Sequence, residues 1–174
     1  MEGKEIVINT LNLAPQLIAL AKQNLHHRIF HPVPHLLALS DKDGNDLFES
    51  FLSYATKQLS MNWTLHIHLL NWLFEEEKWR PLINKDIIKS CLIASVTRWS
   101  MMGCEHVTAK GMMVCSLYLP HQAIGIWKSE APDQPSKVVT IHLPTNAHPL
   151  QKNRYAISYE AGNWKQVEWM ALPR

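Results

Sequence analysis

The spacing of apolar residues changes near Gly103, and this change constrains the fold more than any other feature of the sequence. Before that point, apolar residues recur every three or four positions over long segments, as in amphipathic helices. After it, they come in short runs rich in β-branched and aromatic residues, separated by Pro, Gly, Asn and Ser. Helices followed by strands, without alternation of the two, predict an α+β fold and not a doubly wound parallel sheet.

The expected architecture is about four N-terminal helices packed on a C-terminal antiparallel β-meander of four to five strands. A chain of 174 residues has the usual length of one domain. We therefore predict a single domain over 1–174, with a helical half at about 1–103 and a β half at about 112–171.

Four helices are predicted from apolar periodicity and from capping residues. They begin near Asn12, Asp46, Thr64 and Asn84. The first runs over 13–25 and has one apolar face that includes Leu17 and Leu20. The segment 29–34 is expected to be a connector, because its two prolines interrupt helical hydrogen bonding. The third helix is apolar on most sides, which indicates a central position.

Five strands are predicted from short runs of β-forming residues. They cover 112–119, 124–127, 138–143, 155–159 and 164–170. The first run is apolar on both faces, so we expect a central strand or one covered by helices. The last two runs flank 160–163, whose composition favours a hairpin turn.

Composition and charge disfavour several classes of partner. A net charge of +2 and a sequence pI near 8.4 are too modest to predict binding to duplex DNA or to an anionic membrane. No apolar run reaches the roughly 20 residues that a membrane span needs, and the N-terminus lacks the basic and apolar regions of a signal peptide. Three cysteines without a CxxC pair favour a reducing compartment. We expect a cytoplasmic protein.

Three histidines spaced by four residues, His27, His31 and His35, are the strongest metal-like pattern. That spacing converges on one ion only along a helix, and Pro32 and Pro34 interrupt the segment. Loop histidines explain the pattern better than ligands do, so no metal site is predicted. Gly-rich phosphate-binding motifs are missing from the sequence, and no cofactor is expected.

Two cysteines are candidates for thiol chemistry or for metal-assisted hydrolysis. Cys91 precedes His142 in the chain order of a nucleophile and its base, but it falls within the apolar stripe of its helix. Cys104 follows the end of that helix and stands near His106, so it is the more accessible thiol. A small thiol- or metal-dependent hydrolase that uses Cys104 or Cys91 with His142 or His106 is therefore an alternative function.

Four aromatic residues of the last predicted hairpin, Tyr155, Tyr159, Trp164 and Trp169, are candidate partner-binding residues. Interleaved with cations, they also resemble a weak surface for single-stranded nucleic acid, which is a second alternative. The sequence favours a non-enzymatic accessory or adaptor protein that binds another protein, or a second copy of itself. The binding region would be this aromatic-rich sheet region or the connector with His and Pro over 29–34. The thiol alternative leaves the question of enzymatic activity open.

Overall fold

The computed structural model describes residues 10–58, 62–102, 108–131, 133–145 and 153–173. Within these residues lie four α-helices, α1 (Thr10–Phe30), α2 (Asn45–Gln58), α3 (Leu65–Glu75) and α4 (Lys85–Met102). Short 3₁₀ helices cover Pro34–Leu39 and Arg80–Leu82. The strands are β1 (Gly111–Cys115), β2 (Gln122–Trp127), β3 (Lys137–His142), β4 (Arg154–Ser158) and β5 (Met170–Ala171). Helices precede strands along the chain, which confirms the predicted α+β class.

The five described strands form one antiparallel sheet in the order β3-β2-β1-β4-β5. β1 lies between β2 and β4, and all five of its residues are buried. The prediction that the first apolar run is a central strand is therefore confirmed. β3 forms one edge of the sheet. The chain then crosses to the far side of β1, where β4 pairs with β1 and not with β3.

The central strands of the sheet carry buried apolar side chains on both faces. The inner face packs on α4 and shares the main core with the other helices. It carries Met112, Val114, Ile124, Ile126 and Ile157. The outer face carries a smaller buried cluster of Met113, Cys115, Ala123 and Ala156, which packs against side chains of the segment 164–169. Burial on two sides explains why β1 is apolar throughout and does not alternate.

Helix α1 is longer than predicted, and the connector predicted over 29–34 is wrong in its first half. The helix continues to Phe30, and Ile29 and Phe30 are buried at its C-terminal end. A proline mainly restricts the residue before it, so Pro32 permits helical geometry as far as residue 30. Pro34 then begins a 3₁₀ helix, where its missing N–H costs no hydrogen bond.

Helix α4 begins as predicted. The side-chain Oδ1 of Asn84 accepts hydrogen bonds from the backbone N–H groups of Asp86 and Ile87, both at 3.0 Å. These bonds satisfy two of the amides that have no partner within the first turn of a helix. The predicted C-terminal cap, Gly103, lies outside the described residues.

Helices α2 and α3 begin differently from the prediction. Ser40 Oγ accepts a hydrogen bond from the backbone N–H of Leu47 at 3.2 Å, whereas the carboxylate of Asp46 forms an ion pair with Lys78. Thr64 precedes α3 but makes no side-chain cap hydrogen bond. Neither helix start therefore uses the side-chain cap that the sequence pattern indicated.

The last predicted strand is mostly absent. β5 contains only Met170 and Ala171, which pair with β4. The predicted turn over 160–163 is present, with Gly162 at a φ of 76° and a hydrogen bond from the Asn163 N–H to the Glu160 carbonyl. The segment 164–169 does not pair as a strand but places its apolar side chains on the outer face of the sheet. No helix of the described chain is both long and apolar enough to cross a membrane.

Candidate functional site

A cavity of about 610 Å³ lies beside the C-terminal end of α1, next to α3 and α4. Its polar wall consists of His27, Arg28, His31, His66, Thr97 and Arg98. Its apolar wall consists of Pro32, Ile93, Ala94, Met101 and Met102. The α4 residues of the lining recur at spacings of three and four positions, so they lie on one side of that helix. Segments far apart in the sequence therefore build one site.

His66 is the deepest polar group of this cavity, with only 2% of its surface exposed. Its Nε2 lies 3.0 Å from the backbone carbonyl oxygen of Ile29. A carbonyl can only accept, so Nε2 carries the proton and Nδ1 is a hydrogen-bond acceptor. Nδ1 is buried and has no hydrogen-bond partner among the described residues. The site therefore contains a buried acceptor that is available to an added donor.

The protonation state of His66 follows from its burial. Desolvation lowers its pKa from 6.5 to about 4, and the nearby positive charges of Arg98 and Arg28 act in the same direction, while the hydrogen bond to Ile29 opposes the shift. The imidazole is therefore neutral at pH 7. This agrees with the tautomer that the hydrogen bond indicates.

Two guanidinium groups add positive charge to the cavity. The pKa of Arg28 is lowered by burial and, to a smaller degree, by the charge of Arg98, so the two cations lie close enough to repel each other. Nε of Arg98 is buried without a hydrogen-bond partner among the described residues. Neither Asp nor Glu is among the described residues that line the cavity. This arrangement favours an anionic ligand.

The structure brings two of the three predicted histidines together. The rings of His27 and His31 have their centroids 4.6 Å apart, and the His31 N–H donates to the His27 carbonyl at 3.0 Å. His35 lies in the 3₁₀ helix that follows and does not line the cavity. Within the described parts of the chain, no three His, Cys, Asp or Glu residues are placed to hold a metal ion.

Residue spacing and motifs in the sequence do not indicate the other polar groups of this site. No motif of the sequence includes His66, Arg28 or Arg98. A histidine within an otherwise apolar helix was a usable signal, because a buried polar side chain needs a partner. The two arginines carried no such signal, because each stands in an ordinary helical context.

The cysteine candidates are only partly described. Cys91 is fully buried in the main core, and burial raises the pKa of its thiol to about 12. His142 is exposed on the edge strand β3. A protonated, inaccessible thiol is a core residue and not a nucleophile at neutral pH. Cys104 and His106 lie outside the described residues, so the hydrolase alternative built on them stays a prediction.

The four aromatic candidates are divided between the two faces of the sheet. Tyr155 packs edge-on against Trp63, with ring centroids 5.2 Å apart, on the inner side. Trp164 and Trp169 pack on the outer cluster and are half-buried. Tyr159 is 56% exposed. Trp164 also packs against Trp127, with a centroid distance of 4.1 Å.

A further apolar surface lies on the N-terminal half of α1, where Leu17, Ile18 and Leu20 are 61%, 59% and 52% exposed. The sequence predicted an amphipathic helix there, and such a face is normally buried in the same chain. Among the described side chains of α1, those that pack on the main core lie at its C-terminal end and are Leu25, Ile29 and Phe30. We call Leu17, Ile18 and Leu20 the α1 apolar surface.

The chain is similar to a known protein family. A family model described as Methanobactin biosynthesis cassette protein MbnC-like matches residues 16–173. The matched range includes the greater part of α1, the cavity and the whole described sheet. No curated protein matches the chain.

Proposed function

Since the chain belongs to the MbnC-like family of methanobactin biosynthesis cassette proteins, we propose that it is a non-enzymatic accessory protein that binds another protein of such a cassette. We place this role in the cytoplasm, where the buried thiols of Cys91 and Cys115 stay reduced.

The α1 apolar surface is the observation that carries this proposal. Three large aliphatic side chains, each more than half exposed, stand within four residues on a helix that packs on the core through its other end. Large apolar side chains that are exposed together on one helix are typical of protein interaction sites. An amphipathic helix that lies in an apolar groove of its partner is a common mode of recognition. We therefore propose α1 as the first element that contacts the partner.

The outer side of the sheet is the second proposed contact surface. Trp164 and Trp169 are half-buried there, and Tyr159 is exposed at the turn that follows β4. Partly exposed aromatic side chains are frequent anchors of interfaces, because they bury a large area at a small entropic cost. The proposal is confined to these three residues, because Tyr155 packs inward against Trp63.

The test is co-expression of the chain with each other protein encoded in its cassette, followed by size-exclusion chromatography and titration of the purified pair. We expect a stable complex with at least one of them. A chain that elutes alone with every cassette protein would overturn the proposal. A dimer formed by the chain alone at the same concentrations would identify self-association instead.

Variants separate the two proposed surfaces. Leu17→Gln combined with Leu20→Gln keeps good helix formers and removes apolar contact, so we expect the partner affinity to fall roughly tenfold or more. Tyr159→Ala tests the sheet surface with the same assay. Leu82→Gln is the matched control, because Leu82 is 50% exposed and lies on a different element. Equal affinities for the double variant and the control would refute the assignment of α1.

A further inference from the structure

We propose that the cavity beside α1, α3 and α4 binds an amphipathic carboxylate, meaning a carboxylate group with an adjacent N–H or O–H donor and an apolar substituent. This ligand site goes beyond the proposed protein-binding role and does not depend on it.

The carboxylate follows from the charge of the cavity wall. Arg28 and Arg98 are close enough for the charge of one to lower the pKa of the other. A carboxylate between two guanidinium groups relieves this repulsion and accepts charge-assisted hydrogen bonds. The buried Nε of Arg98 has no hydrogen-bond partner among the described residues, so it can supply one such bond. No described acidic residue of the lining competes for that position.

The adjacent donor follows from His66. Its Nε2–H is already bonded to the carbonyl of Ile29, and its Nδ1 is a buried acceptor for which the described chain provides no donor. Leaving a buried acceptor without a donor costs free energy. A ligand N–H or O–H beside the carboxylate satisfies this atom. A simple inorganic anion such as chloride cannot donate this bond.

The apolar substituent follows from the other wall and from the size of the cavity. Ile93 and Met101 lie on the α4 side, with 37% and 75% of their surfaces exposed, and the α4 residue Ala94 is buried. Methionine adapts its shape to different apolar ligands. A volume of about 610 Å³ is within the range of small-molecule sites. It accommodates a single amino-acid derivative or the terminal residue of a peptide.

N-acetyl-leucine is the probe that combines all three features. We expect saturable binding in the millimolar range or tighter, measured by ligand-observed and protein-observed NMR titration. N-acetyl-leucinamide lacks the charge, N-acetyl-N-methylleucine lacks the N–H, and acetate lacks both the donor and the apolar group. Each should bind at least about tenfold more weakly than N-acetyl-leucine. A tripeptide that ends in leucine distinguishes a peptide terminus from a free amino-acid derivative as the preferred source.

Two variants test whether binding occurs at this site. Arg98→Gln removes one guanidinium, and we expect the affinity for N-acetyl-leucine to fall about tenfold. Lys89→Gln removes one charge from the same helix outside the cavity lining and should leave the affinity unchanged. Thermal unfolding of both variants confirms that they are folded. Lack of saturable binding, equal affinity for the amide, or equal loss in the two variants would each overturn the proposal.

Discussion

The buried neutral imidazole of His66 should make the stability of the protein depend on pH. The pKa of His66 is about 4 in the folded protein, against 6.5 for an ordinary histidine. Between these values the unfolded chain binds a proton on His66 and the folded protein does not. The contribution of neutral His66 to the free energy of unfolding is therefore fully present above about pH 6.5. It is lost as the pH falls towards about 4.

The size of this effect follows from the two pKa values. At about pH 5, proton uptake by the unfolded chain lowers the free energy of unfolding by about 2 kcal/mol relative to its value at about pH 7.5. The loss approaches about 3 kcal/mol at still lower pH. Because His66 is almost fully buried, solvent screening does not reduce this contribution in the way it does for a surface group.

Urea unfolding followed by tryptophan fluorescence measures the effect, because the sequence contains seven Trp. His66→Gln retains a side-chain donor for the Ile29 carbonyl but cannot take up a proton. Its free energy of unfolding should therefore fall by about 2 kcal/mol less than that of the parent protein between about pH 7.5 and pH 5. His35→Gln makes the same substitution at an exposed position and is the matched control variant. Identical pH dependence in parent and His66→Gln would refute the reasoning.

Three further predictions test the core and the caps. Gly111→Ala should reduce the free energy of unfolding, measured by urea titration, by about 2–3 kcal/mol. The reason is that an added Cβ would lie 2.4 Å from the Trp127 ring and 2.7 Å from a backbone oxygen. An unchanged unfolding midpoint would show that the pairing of β1 with β2 is misplaced. Cys91 and Cys115 should resist alkylation in the native protein at neutral pH, because burial raises their pKa values to about 12 and about 11. Peptide mapping by mass spectrometry reports the labelling of each thiol separately. Rapid labelling of either thiol would contradict its burial. Asn84→Ala should cost about 1 kcal/mol in the same urea assay through loss of the two cap hydrogen bonds, and Asn84→Asp should restore most of it.

Local sequence signals predicted the elements whose stability comes from nearby residues. Asn84 and the apolar stripe after it predicted α4, and the doubly apolar run at 112–115 predicted a central strand. Capping and periodicity act over a few residues, so a sequence displays them directly. The same signals failed for the segment 164–169. Its composition is typical of a strand, but the segment covers a face of the sheet and does not pair with another strand.

The candidate site could not be predicted in the same way. The regular spacing of His27 and His31 is visible in the sequence. Their neighbours His66 and Arg98 lie on two other helices, so only the folded chain brings them together. The exposure of the α1 apolar surface was also invisible, because a helical apolar stripe has the same pattern whether it faces its own core or a partner.

The sequence by itself therefore determined the α+β class, the order of helices before strands, and the start of α4. The tertiary structure alone decided which apolar faces are buried, which strand is the neighbour of β1, and which polar side chains surround a common cavity. The physical reason is the range of the interactions. Hydrogen-bonding periodicity and capping are set by residues within one or two turns, whereas burial, pKa shifts and cavities depend on distant segments that meet only after the chain has folded.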